Sequence, residues 1–333
     1  MKIAMMTIEF STLARVAKQC ERRFNYWKYR LNGNRYKAWT CTFPAGGHQD
    51  VVSSFLRGAA FFPDIEVLVN PSAAEITPDT ILYVPSGWRA LRDAIELRRA
   101  CKIKTLIAGP TVVDLPYLHD YIIADPAVNV CLVASQWVKD MFDTELAHAG
   151  REANVQIWAA GVDNLFWKPE RLMPHENFRN ALIYVKNSGI TQLEMVTEVL
   201  SSMKKEVKVI SCGSHVPQEY KSALEWCDFV VILGESETQG LAMAQAWSMN
   251  RQTLVFDSSV VSKYHENTLY SSVVPSPAPY LTQETGALWE SEEALVCLLT
   301  RMEERNPRLW VEANLMNSIA FESLLAFFEN ENK

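Results

Sequence analysis

The chain has 333 residues, which is long for one domain and comfortable for two of about 150 each. Apolar residues make up 48 % and charged residues 21 %, a globular composition with material for a core in each half. The net charge is −7 with acidic and basic residues mixed along the chain, which excludes an extended basic face for nucleic acid.

The first 34 residues carry two readings: a strand over 2–8, or one long helix over 2–31 bearing Phe24, Tyr26, Trp27 and Tyr29. Strand-like apolar runs are then expected at 38–43, 65–69, 80–84, 104–108, 128–133 and 155–158, with helices between them at about 48–60, 88–101 and 135–148. In the segment starting at Trp88, Leu91, Ile95 and Leu97 share a helical face with charges opposite. Residues 161–174, with Pro169 and Pro174, lack periodicity and read as a linker. The alternation restarts with a strand at 181–185, helix 190–204, strand 207–211, helix 217–226, strand 228–233, helix 238–249 and strand 252–256. A Pro-rich loop at 271–280 precedes a helical tail from about 290 to 328. Alternating strands and helices predict parallel sheets covered on both faces.

The seven Cys are widely spaced, odd in number and form no C-x-x-C, so they are expected to be mostly buried thiols in a reducing compartment. Only Lys2 precedes the short apolar run Ile3–Met6, too little for a signal peptide, and no run approaches a membrane span. The cytoplasm is the expected location.

One segment is more specific than the rest. After the apolar strand ending at Leu233 come Gly234, Glu235, Ser236, Glu237, Thr238, Gln239 and Gly240, and then a helix from Leu241. This resembles the E-x7-E segment of retaining GT-B glycosyltransferases, the group 1 glycosyl transferases. Glu237 matches the first Glu, Gly240 and Leu241 the Gly-Leu pair, and Ala246 the following Ala. The second Glu falls on Gln245, and Asn250 replaces a usual Gly. Three further matches follow the same order. Gly46, Gly47 and His48 resemble the family's first Gly-Gly loop. Ser135 opens a strand–Ser–helix element as an expected N-cap. Gly161-Val162-Asp163, with Phe166 and Pro169, resembles the segment that opens the second domain.

The resemblance implies an α/β protein of the GT-B class, two Rossmann-like domains whose parallel sheets face a central cleft. The domains expected are 1–160 for the acceptor and 161–310 for the donor, with 311–333 as a helix packing back on the first. It implies transfer of a sugar from a nucleotide diphosphate sugar to a glycan or other hydroxyl acceptor, with retention and without a metal or other cofactor. In that reading Glu237 bonds the donor sugar and Lys186 neutralises the diphosphate. Gln239, Gly240 and Leu241 face the phosphates, while Gln245, Gly213, Ser214, Gly46 and Gly47 complete the donor site. His48, His119 and His215 are further cleft candidates, and Trp27, Trp88 and Trp289 are candidates for stacking on sugar. D-x-D, H-E-x-x-H, G-x-G-x-x-G, the P-loop pattern and G-x-S-x-G are all absent. Gln245 and the lack of a second lysine after Lys186 keep two alternatives open: a non-catalytic GT-B relative acting as a binding subunit, and a sugar-nucleotide epimerase. The sequence leaves the oligomeric state open.

Overall fold

A computed structural model describes residues 1–7, 12–34, 37–38, 41, 47–170, 178–186, 190–258 and 273–330. The chain divides into two compact units, one of Met1–Gly161 with Asn317–Lys333, the other of Val162–Met316.

Unit 1 is built on a six-stranded parallel sheet. In chain order its elements are β1 (Lys2–Met5), α1 (Thr12–Leu31), α2 (Gly47–Ala59), β2 (Glu66–Val69), β3 (Ile81–Ser86), α3 (Trp88–Arg99), β4 (Thr105–Thr111), β5 (Val130–Val133), α4 (Gln136–His148) and β6 (Val155–Ile157). The strands lie in the order β2-β1-β3-β4-β5-β6. β1 pairs in parallel with β2 and β3, so the apolar run at Ile3 becomes a buried inner strand. Both readings of the N-terminus therefore hold in part: a strand first, then a helix. The strand expected at 38–43 is not formed at its described residues, because Ala38 and Cys41 are helical. The β-favouring Thr and Phe there outweighed other signals in the sequence pattern.

Unit 1 is completed by α10 (Asn317–Asn330), the last helix, which lies against α2. Gly58 makes this contact possible. A Cβ there would stand 2.3 Å from the Asn317 carbonyl oxygen and 2.5 Å from the Phe321 Cβ. Phe321, Leu324 and Phe328 enter the same core as Phe55, Tyr83 and Trp158. Each such large apolar side chain contributes about 2 kcal/mol of gross burial. The Trp158 Nε1 donates to the Ala320 carbonyl at 2.7 Å, satisfying the indole in an apolar surround. Ser135 stands at the α4 N-cap but makes no side-chain cap bond, and its buried hydroxyl has no hydrogen-bond partner.

Unit 2 carries β7 (Asn180–Val185), α5 (Ile190–Ser202), β8 (Glu206–Ser211), α6 (Pro217–Trp226), β9 (Phe229–Leu233), α7 (Leu241–Ser248), β10 (Gln252–Phe256), β11 (Gly286–Trp289), α8 (Glu292–Thr300) and α9 (Pro307–Asn314). All pairings are parallel and the order is β11-β10-β9-β7-β8. β9 is buried at every residue, which explains its unbroken apolar run Phe-Val-Val-Ile-Leu. The edge strand β11 was not expected, and its Trp289 is a core residue at 1 % exposure rather than a sugar platform. The segment read as a linker is tied down where it enters unit 2. The Val162 N–H donates to the Leu315 carbonyl at 2.8 Å, and Trp167 is buried. One Arg308 nitrogen donates to the Ser248 and Trp167 carbonyls at 2.6 and 3.2 Å, and the other to Asn164 at 3.4 Å.

The cysteines correct the sequence reading. Only Cys131 and Cys227 are buried, Cys41 is intermediate, and Cys20, Cys101, Cys212 and Cys297 are exposed. No helix among the described residues is long and apolar enough to cross a membrane.

Candidate functional site

Both sheets share a 2-1-3-4-5 strand order, in which the chain reverses its direction of travel between the first and third strands. Ligands of open α/β sheets bind outside the carboxyl ends of the strands at that point. In unit 2 the point lies between β7 and β9, and the residues just beyond those strands are Lys186 and Glu237.

They meet. The Lys186 Nζ lies 2.7 Å from Glu237 Oε2, with side-chain exposures of 33 % and 15 %. The strand ladder sets the lysine, since its backbone N–H donates to the Leu233 carbonyl at 2.7 Å. Gly234 lies against it, and a Cβ at that position would stand 3.5 Å from the Lys186 Cβ. The loop bearing the glutamate is held from two sides. The Glu237 N–H donates to the Ser276 carbonyl at 2.9 Å, and the Ser258 hydroxyl to the Glu235 carbonyl at 2.6 Å. An ammonium has three N–H bonds, so the one aimed at Glu237 orients the group and leaves donors for an anion.

Gly240 turns the chain from this loop into α7. Its φ is +83°, a left-handed conformation that favours glycine. The turn delivers the N-terminus of α7, where backbone N–H groups and the helix dipole favour negative charge. Gln239, just before the turn, is buried, and Leu241 is the first helical residue. Gln245 sits one turn further along α7 and is partly buried.

Beside this pair lies an aromatic group in which the candidate His215 meets two tyrosines that sequence reasoning missed. Tyr184, the penultimate residue of β7, packs against Tyr220 of α6 with ring centroids 5.2 Å apart. His215 joins both, at 5.7 Å from Tyr184 and 5.3 Å from Tyr220, with its Nε2 3.5 Å from the Tyr184 hydroxyl. The Tyr220 hydroxyl donates to the Ala242 carbonyl at 2.9 Å and so braces the first turn of α7. Burial, with Cys212 and Tyr220 nearby, pushes the Tyr184 phenol far up. Burial does the same to Tyr220, so both stay protonated as donors. Burial lowers the His215 pKa, against the opposing pull of the Val216 carbonyl and Glu219. For the tyrosines the sequence signal was an aromatic at the end of a strand whose next residue is a candidate cation. Gly213, at φ +77°, and Ser214 form the exposed turn after β8, where the Ser214 hydroxyl donates back to the Ser211 carbonyl at 2.5 Å.

The remaining candidates lie in unit 1. Gly46 is outside the described residues, and Gly47 is the first residue of α2. His48 follows it and its Nδ1 meets the Ser86 hydroxyl at 2.6 Å, at the carboxyl end of β3. Desolvation lowers its pKa against the opposite pull of Asp114. His119 is exposed, one of three consecutive left-handed residues, and stacks on Trp88 at 4.0 Å and 18°. Arg89 and Arg92 lie 4.7 and 5.5 Å from that indole. Among the described residues, no group of three or more His, Cys, Asp or Glu is placed to hold a metal ion.

Two Rossmann-like parallel α/β units, with charged residues gathered at the strand ends of the second, give the chain the GT-B type of fold. Solved structures of that class are similar to it. Anabaena HepE in complex with UDP superposes with a TM-score of 0.54 at 11 % identity, covering 99 % of this chain and 100 % of that one. The GtfA/B complex matches at a TM-score of 0.51 and 11 % identity, covering 78 % of this chain and 59 % of that chain. TarM matches at 0.50 and 14 %, covering 78 % and 56 %. The aligned region thus spans little more than half of the last two chains. No protein-family model matches the sequence, and no curated protein sequence does. At such identities the likeness is one of fold, and function has to be argued from the site.

Proposed function

We propose that the chain is a glycosyltransferase that uses a nucleotide diphosphate sugar, with its diphosphate seated over the β7–β9 switch point. The observation that carries this reading is the Lys186–Glu237 pair, 2.7 Å apart beside the glycine-capped start of α7. Cation, carboxylate and helix N-terminus then face the three parts of such a donor that need them. Lys186 and the amides at 239–241 take the charge on the departing diphosphate, in the place a divalent cation would otherwise fill. Glu237 accepts from sugar hydroxyls and orients the anomeric carbon. The anomeric carbon–oxygen bond to the diphosphate breaks and the diphosphate leaves with the electron pair. The acceptor oxygen bonds the carbon, and its proton passes to the departing phosphate oxygen or to water.

Retention follows from the E-x7-E resemblance. The HepE structures hold UDP and UDP-glucose, which makes uridine diphosphate sugars the first donors to try. Gln245 replaces the charged partner of the nucleotide ribose with a neutral acceptor, so weaker nucleotide binding is expected. That replacement also favours a second reading, a relative that binds nucleotide without turnover. A panel of nucleotide diphosphate sugars, scored for nucleotide release and for thermal stabilisation, separates the two. Release of nucleotide with transfer to an added hydroxyl acceptor supports the transferase, with product anomeric configuration reporting retention. Stabilisation without release supports the binding subunit, and neither response rejects both.

A further inference from the structure

The charge and apolar pattern of α1 has no role in the site above. Cys20, Phe24, Trp27 and Leu31 are spaced four, three and four apart, which stacks them in one stripe along the helix. All four are exposed, Phe24 by 70 %, Trp27 by 62 % and Leu31 by 83 %. The half-buried residues, Arg22, Asn25, Tyr26 and Tyr29, fall on the opposite face. Apolar side chains thus point outward where water is, and polar or amphipathic ones point inward. Arg23 and Arg30 flank the stripe on one side and Lys28 on the other. The helix sequence holds six Lys or Arg against one Glu, in a chain whose net charge is −7.

We infer that α1 is a membrane-surface helix, which lies flat on an anionic lipid leaflet with Phe24, Trp27 and Leu31 sunk among the acyl chains. Charge selects the partner. A second copy docking stripe to stripe would bring the flanking arginines and lysines of both helices together. An acidic leaflet meets them with opposite charge, while the negative remainder of the chain stays in water. Aromatic residues of this kind settle at the interface between headgroup and chain. The charges forbid crossing, so a helix of 20 residues lies along the surface rather than through it.

Co-sedimentation of the full chain with vesicles tests this. Binding is expected to phosphatidylcholine vesicles carrying about 30 % phosphatidylserine, and to fall about tenfold or more on pure phosphatidylcholine or in about 0.5 M salt. Phe24→Ala/Trp27→Ala is expected to weaken binding about tenfold or more with an unchanged melting temperature, since both side chains are exposed. Arg23→Gln/Arg30→Gln, with the apolar stripe intact, is expected to lose the preference for acidic lipid. Three results overturn the inference: no binding to the acidic vesicles, equal binding by Phe24→Ala/Trp27→Ala, or a dimer in sedimentation velocity that Trp27→Ala dissolves without any vesicle binding.

Discussion

Replacing Lys186 with Ala separates the catalytic reading of the site from a merely structural one. The pair it forms with Glu237 is 2.7 Å long, and the ammonium is a third exposed. A pair screened to that degree contributes about 1 kcal/mol or less to stability. In a unit of this size the variant is then expected to melt about 2–4 °C lower. Its effect on transfer is expected to be much larger. Removing one preorganised donor from a developing charge costs about 3–4 kcal/mol, or roughly 10²–10³ in kcat. Glu237→Ala is expected to lose a similar factor. The double variant is expected to fall well short of the product of the two losses, because each residue positions the other. Nucleotide release from the donor found in the panel reads the rates, and differential scanning calorimetry reads the folding. A Lys186→Ala protein with kcat within about threefold of the parent, or one that loses activity only in proportion to its unfolding, refutes the assignment.

Gly58→Ala forces a Cβ to within 2.3 Å of the Asn317 carbonyl and is expected to destabilise unit 1 by about 1–3 kcal/mol, read from its denaturation midpoint. Arg308→Ala removes donors from the Ser248, Trp167 and Asn164 carbonyls and is expected to lower the stability of unit 2 by about 2–3 kcal/mol, measured the same way. His215 is neutral in a half-buried site, with its pKa below the ordinary 6.5. The unfolded chain binds that proton first as pH falls, so the stability it contributes is full above 6.5 and lost as pH drops through the folded value. His215→Gln is expected to reduce the fall in melting temperature between pH 7.5 and 5.5, and an unchanged fall counts against the assignment.

The second half of the fold was the more legible in sequence, for a physical reason. Strands buried on both faces read as unbroken apolar runs, and β7, β9 and β10 each stand out between helices of 3.6-residue period. The first 43 residues mix signals. Ile3–Met6 is as apolar as a strand and abuts a helix, while the Trp, Thr and Phe near 38–43 favour a strand that the described residues do not adopt. β11 escaped notice because Gly-Ala-Leu-Trp is four residues long and lies at a sheet edge, where burial leaves little pattern. In the site, motif spacing pointed to Glu237 and Gly240, and a strand end pointed to Lys186. The pairing of Lys186 with Glu237 joins residues 51 positions apart, and the Tyr184–Tyr220–His215 group joins a strand, a helix and the loop before it. Such contacts are set by sheet order, which local pattern does not encode.

The way α10 finishes unit 1 has a consequence for how the molecule is made. Residues 317–330 leave the ribosome after the whole of unit 2, yet Phe321, Leu324 and Phe328 fill the middle of a core whose other members were synthesised first. Unit 2 is continuous in sequence and can mature during translation, whereas unit 1 must wait, incomplete, until residues 317–330 have followed it. A stop ahead of residue 317 will therefore damage a unit whose other core members lie far upstream, before unit 2.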